Sequence, residues 1–247
     1  RGVSTGECDG ETKVNTICRL PADEGVRVRL RILATTDLHA EIRPFDYVAR
    51  RFDPSKGLSR AAGLIARLSR SAPNRLLLDN GDFLFGRSFG GLPDRGTSGV
   101  TDAMNALGYD AGTLGNHEFD AGMKALEVAI ARTRRPLTCA NLFRRETGES
   151  FLPPDLIIER EMRDETGQQQ RLRVGVLGLL PPSAMKAAGP CFAKALRVEP
   201  VEAIAATRVA DLRARGADLV IALCHEGLDP LDAGDTVRRV AALDGID

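Results

Sequence analysis

Side chains that can bind metal ions stand directly after four strand-like segments of this 247-residue chain. Each segment is a short apolar run, and each is followed by a turn that contains aspartate, asparagine or histidine. Parallel strands present their carboxyl ends at one edge of a sheet, where α/β proteins place their sites. The pattern therefore predicts an α/β fold with one site built from the side chains at these strand ends. They are Asp37, His39, Asp82, Asn116, His117 and His225.

The densest of these turns, residues 115–120, holds an amide, an imidazole and two carboxylates ahead of a helical pattern. The chain has only three histidines, and all of them follow strand-like segments. Asp37 and His39 are two residues apart, so on extended backbone they point to the same side and can bind one ion. A mixed set of carboxylate, amide and imidazole ligands suits Mn²⁺, Fe, Co²⁺ or Zn²⁺ better than Ca²⁺ or Mg²⁺.

Periodicity predicts strands and helices that alternate along one domain, after an irregular lead-in at residues 1–25. The predicted strands are 26–34, 76–78, 111–114, 136–142 and 218–223, with a β-hairpin over 156–180. The predicted helices are 58–71, 101–107, one capped by Asp120 that runs to about 134, 200–215 and 235–243. Residues 86–99 hold many glycines and a proline, which predicts an irregular surface loop.

Composition excludes some classes of partner. Lysine and arginine total 34, as do aspartate and glutamate, so no charge excess favours a nucleic-acid polymer or a membrane surface. The longest apolar run, 174–182, is far shorter than the ~20 residues of a membrane span, so none is expected.

Cys8 and Cys18 can form a local disulfide in an oxidising compartment, whereas Cys139 and Cys224 lie in apolar runs typical of buried free thiols.

Each candidate residue also has an ordinary structural interpretation. Asp37 alone is typical of a turn cap, Asp79 of plain turn chemistry, and His225 of a hydrogen-bonded core histidine. Glu118 and Glu226 are expected to be solvated or to support other residues, without a catalytic role. Taken together, however, these interpretations leave unexplained why four strand ends carry ligand chemistry and no histidine lies elsewhere. The hypothesis of one metal site is therefore preferred.

The order of the motifs, Asp-x-His at 37–39, Gly-Asp at 81–82 and Gly-Asn-His-Glu at 115–118, resembles the calcineurin-like metallophosphoesterase superfamily. Within it, the chain is similar to the metal domain of the 5′-nucleotidase family from about residue 26 to residue 247. The most similar branch is the bacterial 2′,3′-cyclic-nucleotide 2′-phosphodiesterase/3′-nucleotidases. The segments that carry the finer likeness are 35–40, 45–47, 57–60, 79–82 and 107–110.

The resemblance implies a four-layer α/β/β/α sandwich with two mixed sheets, and two divalent metal ions (Mn, Zn, Co or Fe). It implies that Asp37, His39 and Asp82 bind one ion. It also implies that Asp82, Asn116 and His225 bind the second. His117 with Asp120 would be the catalytic pair, and a metal-bound hydroxide would be the nucleophile. The implied substrates are nucleotide phosphoesters, with 2′,3′-cyclic diesters and 3′-monoesters first.

Two departures from the family pattern leave alternatives open. The branch often has asparagine where Asp120 stands, and aspartate there is more like the 5′-nucleotidases, so a 5′-nucleotidase or UDP-sugar hydrolase is the alternative. The chain also ends, at 243–247, before the Gly-His-x-His motif and the C-terminal nucleotide-binding domain of the family. We therefore expect a fragment of a longer enzyme, periplasmic or otherwise exported, with the cytoplasm as the alternative. A truncated, catalytically silent domain that binds a metal or a partner is the hypothesis from another class.

Overall fold

The computed structural model describes residues 26–46, 49–84, 93–182, 190–227 and 236–247, without the side chains of 93–98, 190 and 191. The predicted lead-in at 1–25, with Cys8 and Cys18, lies outside these ranges. The described strands are β1 (Arg31–Thr35), β2 (Phe45–Asp46), β3 (Arg51–Phe52), β4 (Arg75–Asp79), β5 (Ala111–Gly112), β6 (Leu142–Arg144), β7 (Asp155–Arg163), β8 (Gln169–Leu179), β9 (Leu196–Val198) and β10 (Leu219–Cys224). The described helices are α1 (Leu58–Arg70), α2 (Pro93–Leu107), α3 (Met123–Arg132), α4 (Pro190–Ala195), α5 (Val201–Ala214) and α6 (Thr236–Ala241), with a 3-10 helix at His117–Phe119.

Two three-stranded sheets form the centre of the fold. One has the order β1-β4-β5 and is entirely parallel. The other has the order β10-β8-β7, in which β10 is parallel and β7 antiparallel to β8. The predicted hairpin over 156–180 is confirmed by the register of β7 and β8, which runs from Asp155 opposite Leu177 to Arg163 opposite Gln169.

Three clusters of buried apolar side chains fix the order of the layers. In β4, Leu77 packs with the helices α1, α2 and α3, whereas Leu76 and Leu78 pack against the second sheet. In β8, Val174 and Val176 face the first sheet. Leu177 and Leu179, on the opposite face of the strand, pack against α5 and α6. Successive strand residues point to opposite faces, so each sheet buries both of its faces. The resulting order is helices, sheet, sheet, helices, which confirms the four-layer α/β/β/α sandwich. Of the two sheets expected to be mixed, only the second is mixed in its described pairings.

Several element boundaries differ from the sequence prediction. The first strand begins at Arg31, because the side-chain amide of Asn74 donates to the carbonyl of Arg29 in place of a strand partner. Among the described residues that precede it, Val28 forms an isolated bridge with Asp164. The predicted loop at 86–99 is wrong from Pro93 onward, where α2 already begins, since proline fits the first turn of a helix.

The segment after α3 was predicted as a strand over 136–142, and this is wrong. Leu137 forms a single bridge with Gly112, and β6 begins only at Leu142. The backbone N–H groups of Cys139 and Ala140 donate to Pro153 and Gly178, on different parts of the fold, so no continuous ladder forms. The helices predicted at 58–71, 200–215 and 235–243 and the strand at 218–223 are confirmed with small changes of boundary.

The prediction of buried thiols holds for Cys139 but not for Cys224. Cys139 is a free, fully buried thiol, and burial raises its pKa to about 12. Cys224 is only half-buried, which corrects the expectation of a buried thiol. In the part of the chain that the structure covers, no helix is both long enough and apolar enough to cross a bilayer.

Candidate metal centre

The predicted ligands lie at the carboxyl ends of four strands. Asp37 and His39 follow β1, Asp82 follows β4, Asn116 and His117 follow β5, and His225 follows β10. Nε2 of His225 lies 3.2 Å from Oδ2 of Asp82. Nε2 of His39 lies 4.0 Å from the same oxygen and 3.5 Å from Oδ1 of Asp37. Asp82, which is 2% exposed, is therefore central to the cluster.

Two groups of carboxylates and imidazoles have ligand atoms that lie within 4.8 Å of one another. One group is His39, Asp82 and His117, and the other is Asp37, Asp82 and His225. This division differs from the ligand sets that the family resemblance implies, in which Asp37 and His39 share an ion. Both divisions give Asp82 to both ions. The amide residue Asn116 is half-buried and directly precedes the 3-10 helix.

The loops that carry these side chains have a strained backbone. Asp37, His39 and Asp82 have φ values of 56°, 47° and 55°, in the left-handed region that residues other than glycine seldom occupy. Backbone hydrogen bonds hold the two loops in this form: Asp37 donates to Gly81, and His39 donates to Asp82, at 3.0 and 2.8 Å. Such strain persists only where the surrounding structure fixes it, and it is typical of functional sites.

The electrostatics of Asp82 and His225 are coupled. Burial opposes the charged form of Asp82, but hydrogen bonding and charge from His225 and the N–H of His117, at 2.8 Å, lower its pKa. Burial likewise opposes charge on His225, and the contacts with Asp82 outweigh it and raise the pKa of His225 to about 9. Nδ1 of His225 donates to the carbonyl of Asn80 at 2.8 Å, so Nε2 is the atom that faces Asp82.

His117 and Asp120 form a hydrogen-bonded pair at the open side of the centre. Nδ1 of His117 lies 2.7 Å from Oδ2 of Asp120, and both side chains are 44% exposed. Burial lowers the pKa of His117, but the bond to Asp120 and the charge of Asp82 outweigh it, and the net shift is upward. Asp120 was also predicted to cap the following helix, and this is wrong: α3 begins at Met123, after Gly122 with φ 88°.

Glu118 is fully buried, so of the two expected roles, a solvated carboxylate or a support for other residues, the structure favours the second. Oε2 accepts the N–H groups of Asp82 and Gly115, at 2.7 and 2.5 Å, and Oε1 accepts that of Leu84, at 2.9 Å. Burial, together with the charge of Asp82, raises the pKa of Glu118 to about 8, although these hydrogen bonds oppose the shift. Glu118 thus joins the loop after β4 to the loop after β5. The only sequence signal for this role was a carboxylate placed inside the Asn-His-Glu-Phe turn.

Gly115 is required because its α-carbon touches the central carboxylate. A Cβ built there would overlap Oδ1 of Asp82 and lie 2.7 Å from both Cγ and the backbone nitrogen of Asp82. We therefore expect Gly115→Ala to displace Asp82, to cost about 1–3 kcal/mol of unfolding free energy, and to reduce Mn²⁺ affinity measured by calorimetry. Gly63→Ala in α1 is the matched control, since a Cβ there meets nothing within 4 Å. Unchanged Mn²⁺ binding in Gly115→Ala would contradict the assignment of Asp82.

The raised pKa of His225 predicts how the metal-free protein responds to pH. Its charged form stabilises the fold fully below pH 6.5, and this contribution is lost as the pH rises through about 9. The shift corresponds to about 3 kcal/mol. Urea unfolding in EDTA should show the free energy of unfolding falling across this range, with a smaller fall in His225→Gln. Equal falls in the two proteins would contradict the ion pair with Asp82.

Comparisons with known proteins agree with this geometry. Residues 30–167 match the family described as calcineurin-like phosphoesterase. The chain is 36% identical over 213 residues to the trifunctional nucleotide phosphoesterase protein YfkN of Bacillus subtilis, covering 82% of this chain and 14% of that protein. It is 34% identical over 234 residues to the 2′,3′-cyclic-nucleotide 2′-phosphodiesterase/3′-nucleotidase of Yersinia enterocolitica, covering 91% of this chain and 36% of that protein.

A solved structure of a calcineurin-like phosphoesterase also aligns with this chain. The crystal structure of the calcineurin-like phosphoesterase YfkN from Bacillus subtilis aligns with a TM-score of 0.81 and 35% identity, over 89% of this chain and 70% of that chain. The chain itself spans 14% and 36% of the lengths of the two curated relatives described above. The family match covers more than half of the chain, and the matched residues include Asp37, His39, Asp82 and His117 of the cluster. The chain belongs to the calcineurin-like phosphoesterase family.

Proposed function

We propose that the gene product containing this chain hydrolyses nucleotide phosphoesters with two divalent cations, and that 2′,3′-cyclic diesters and 3′-monoesters are its first substrates. The observation that carries the proposal is the position of Asp82, which belongs to both groups of ligand atoms and lies within reach of three imidazoles. The relatives named for cyclic-nucleotide phosphodiesterase and 3′-nucleotidase activity support the substrate class.

The donor set fits the proposed ions. Asp37, His39, Asp82, Asn116 and His225 offer carboxylate, imidazole and amide ligands, which suit Mn²⁺, Zn²⁺, Co²⁺ or Fe. When bound, two such ions supply Lewis-acid stabilisation of the phosphate and activation of the attacking water. Asn80 fixes the tautomer of His225, so that its Nε2 is available as a ligand.

We assign His117 as the proton donor to the leaving oxygen, with Asp120 as its orienting partner. The bond from Nδ1 to Asp120 leaves Nε2 of His117 to donate, and the hydrogen bond to Asp120 raises the pKa of His117, which favours its protonated form. His39 packs edge-on against the ring of His117, with centroids 5.0 Å apart, which further restricts its orientation.

His117→Ala is expected to lower kcat by roughly 10²–10⁴-fold, the usual contribution of a positioned general acid, while the metal content stays unchanged. The measurements are phosphate release and metal content by mass spectrometry on the same preparation. Because His117 also belongs to a group of possible ligands, loss of metal in this variant would reassign it from proton donor to ligand. Asp120→Asn, which keeps the shape of the pair, should give a smaller loss of kcat.

The substrate class is tested by phosphate release from the longest product of this gene, with Mn²⁺ and with 2′,3′-cAMP, 3′-AMP or 5′-AMP. Turnover of the first two with little of the third is the expected result. Preference for 5′-AMP would support the alternative of a 5′-nucleotidase or UDP-sugar hydrolase, which Asp120 favours by its likeness to that branch. No turnover despite bound metal would point to another phosphoester. No turnover and no bound metal would support the catalytically silent domain.

Two parts of the proposal concern the longer protein. We infer a C-terminal nucleotide-binding domain, because the chain covers only part of each nucleotidase relative. We also infer export to the periplasm or beyond, which the pair Cys8 and Cys18 would support if it were oxidised. A peptide map of non-reduced protein tests this, since two free thiols in material made under oxidising conditions would contradict export.

A further inference from the structure

A buried ion pair lies beneath the candidate metal centre. Asp79, the last residue of β4, is completely buried, and Arg135 is 4% exposed. Nη2 of Arg135 lies 3.7 Å from Oδ1 of Asp79. Nη1 donates to Oγ1 of Thr133 at 2.9 Å, while Nε and Nη2 have no hydrogen-bond partner among the described residues. Burying these charges is costly, so a pair of this kind needs a compensating role or excellent packing.

Asp79 connects the two strands that lead into the centre. Thr35, at the end of β1, is its register partner, and Oγ1 of Thr35 donates to Oδ2 of Asp79 at 2.7 Å. The hydroxyl of Tyr109 lies 2.9 Å from the same Oγ1 and therefore donates to it. The N–H of Gly81 donates to Oδ1 of Asp79 at 3.3 Å. One carboxylate thus holds the end of β1 and the turn that follows β4.

Arg135 extends this connection to the residue after the central ligand. Its guanidinium stacks on the ring of Phe83, 4.2 Å from the centroid, and Phe83 directly follows Asp82. Room for the guanidinium depends on Gly112, where a Cβ would lie 3.1 Å from Nε of Arg135. Asp79 and Arg135 therefore contact the segments on both sides of the strained turn that presents Asp82.

We propose that Asp79 and Arg135 are positioning residues of the metal centre: they hold the loops of Asp37 and Asp82 in the left-handed conformation that metal binding requires, without touching metal or substrate. Thr35 lies two residues before Asp37, and Asp37 donates its N–H to Gly81, so a shift of Asp79 moves both loops. The inference rests on the proposed function only in requiring that the centre binds metal.

The test compares Asp79→Asn, Arg135→Met and the double variant with the parent protein. Mn²⁺ affinity is measured by calorimetry, the Mn²⁺ environment by electron paramagnetic resonance, and stability by urea unfolding in EDTA. We expect each single variant to bind Mn²⁺ about 10–100-fold more weakly, as is usual when a group that supports metal ligands is lost. The double variant should regain stability, because no uncompensated buried charge remains, and should still bind Mn²⁺ weakly.

Arg132→Met is the matched control. Arg132 lies on α3, three residues before Arg135, and forms an exposed ion pair with Asp102 at 2.6 Å. Its loss should change neither Mn²⁺ affinity nor the resonance spectrum, since exposed ion pairs contribute little.

The possible outcomes separate this inference from the proposed function. The positioning role is overturned if the folded single variants bind Mn²⁺ with wild-type affinity. It is also overturned if the double variant regains both stability and wild-type Mn²⁺ affinity. If the single variants do not fold, the double variant decides alone, and wild-type affinity there overturns the proposal. If the parent binds no Mn²⁺, this inference fails together with the metal centre. A parent that binds Mn²⁺ but hydrolyses no nucleotide removes the proposed function, while weakened binding in the variants still supports the positioning role.

Discussion

Replacing Asp82 by asparagine is expected to abolish metal binding and, with it, phosphoester hydrolysis. Both groups of ligand atoms include Asp82, so one substitution removes a ligand from each. Asparagine keeps an oxygen that can accept the N–H of His117, now 2.8 Å from Oδ1. It replaces the anionic Oδ2, which faces His225 and His39, by an N–H₂ group that cannot bind a cation. The variant therefore tests the charge of this residue with little change of shape.

The measurements for Asp82→Asn are metal content after dialysis, Mn²⁺ affinity by calorimetry, and phosphate release. Loss of a residue that hydrogen-bonds to a metal ligand lowers metal affinity ~10–100-fold. Asp82 is proposed as a ligand of both ions, so its loss should lower the affinity further. The matched control is Asp164→Asn in the β7–β8 turn, where the carboxylate accepts hydrogen bonds from Thr166, Gln168 and Gln170. That variant should bind Mn²⁺ normally. Full activity and metal content in Asp82→Asn would disprove the two-metal mechanism.

Replacing Glu118 by alanine is expected to give the largest loss of stability among substitutions near the centre. The change leaves the N–H groups of Asp82, Leu84 and Gly115 without their acceptor in a fully buried position. Each buried donor left unsatisfied costs about 1–3 kcal/mol, so the free energy of unfolding should fall by several kcal/mol. Mn²⁺ affinity should fall as well, because the loop that presents Asp82 loses its anchor.

Glu118→Gln keeps the effect measurable if the alanine variant does not fold. Glutamine retains one acceptor oxygen and places an N–H₂ group against one of the backbone donors, so we expect an intermediate loss of stability. Its neutral side chain also avoids the cost of a buried charge, which the raised pKa of Glu118 expresses. Urea unfolding in EDTA gives the stability of each variant. A loss below about 1 kcal/mol in Glu118→Ala would mean that the three N–H groups find other partners.

The nature of the site was open to prediction because its signal is local in sequence. A polar turn after an apolar run can be recognised from neighbouring residues alone, and this placed Asp37, Asp82, His117 and His225 at strand ends. Apolar runs on either side of a polar tip likewise predicted β8, and apolar stripes of helical period predicted α1 and α5. The strand predicted over 136–142 failed because backbone N–H groups of this segment donate to acceptors that are distant in sequence.

The sequence by itself determined the α/β class, the residue types of the centre and their place at strand ends, but not that the strands belong to two sheets. Only the tertiary structure decided which side chains meet. Asn80 and His225 are 145 residues apart, and their hydrogen bond depends on the packing of one sheet against the other. Glu118 and Arg135 give no periodic signal, because each takes its role from the groups that surround it after folding. Burial and hydrogen-bond partners belong to the assembled fold, and this is why the residues that support the metal ligands emerged only there.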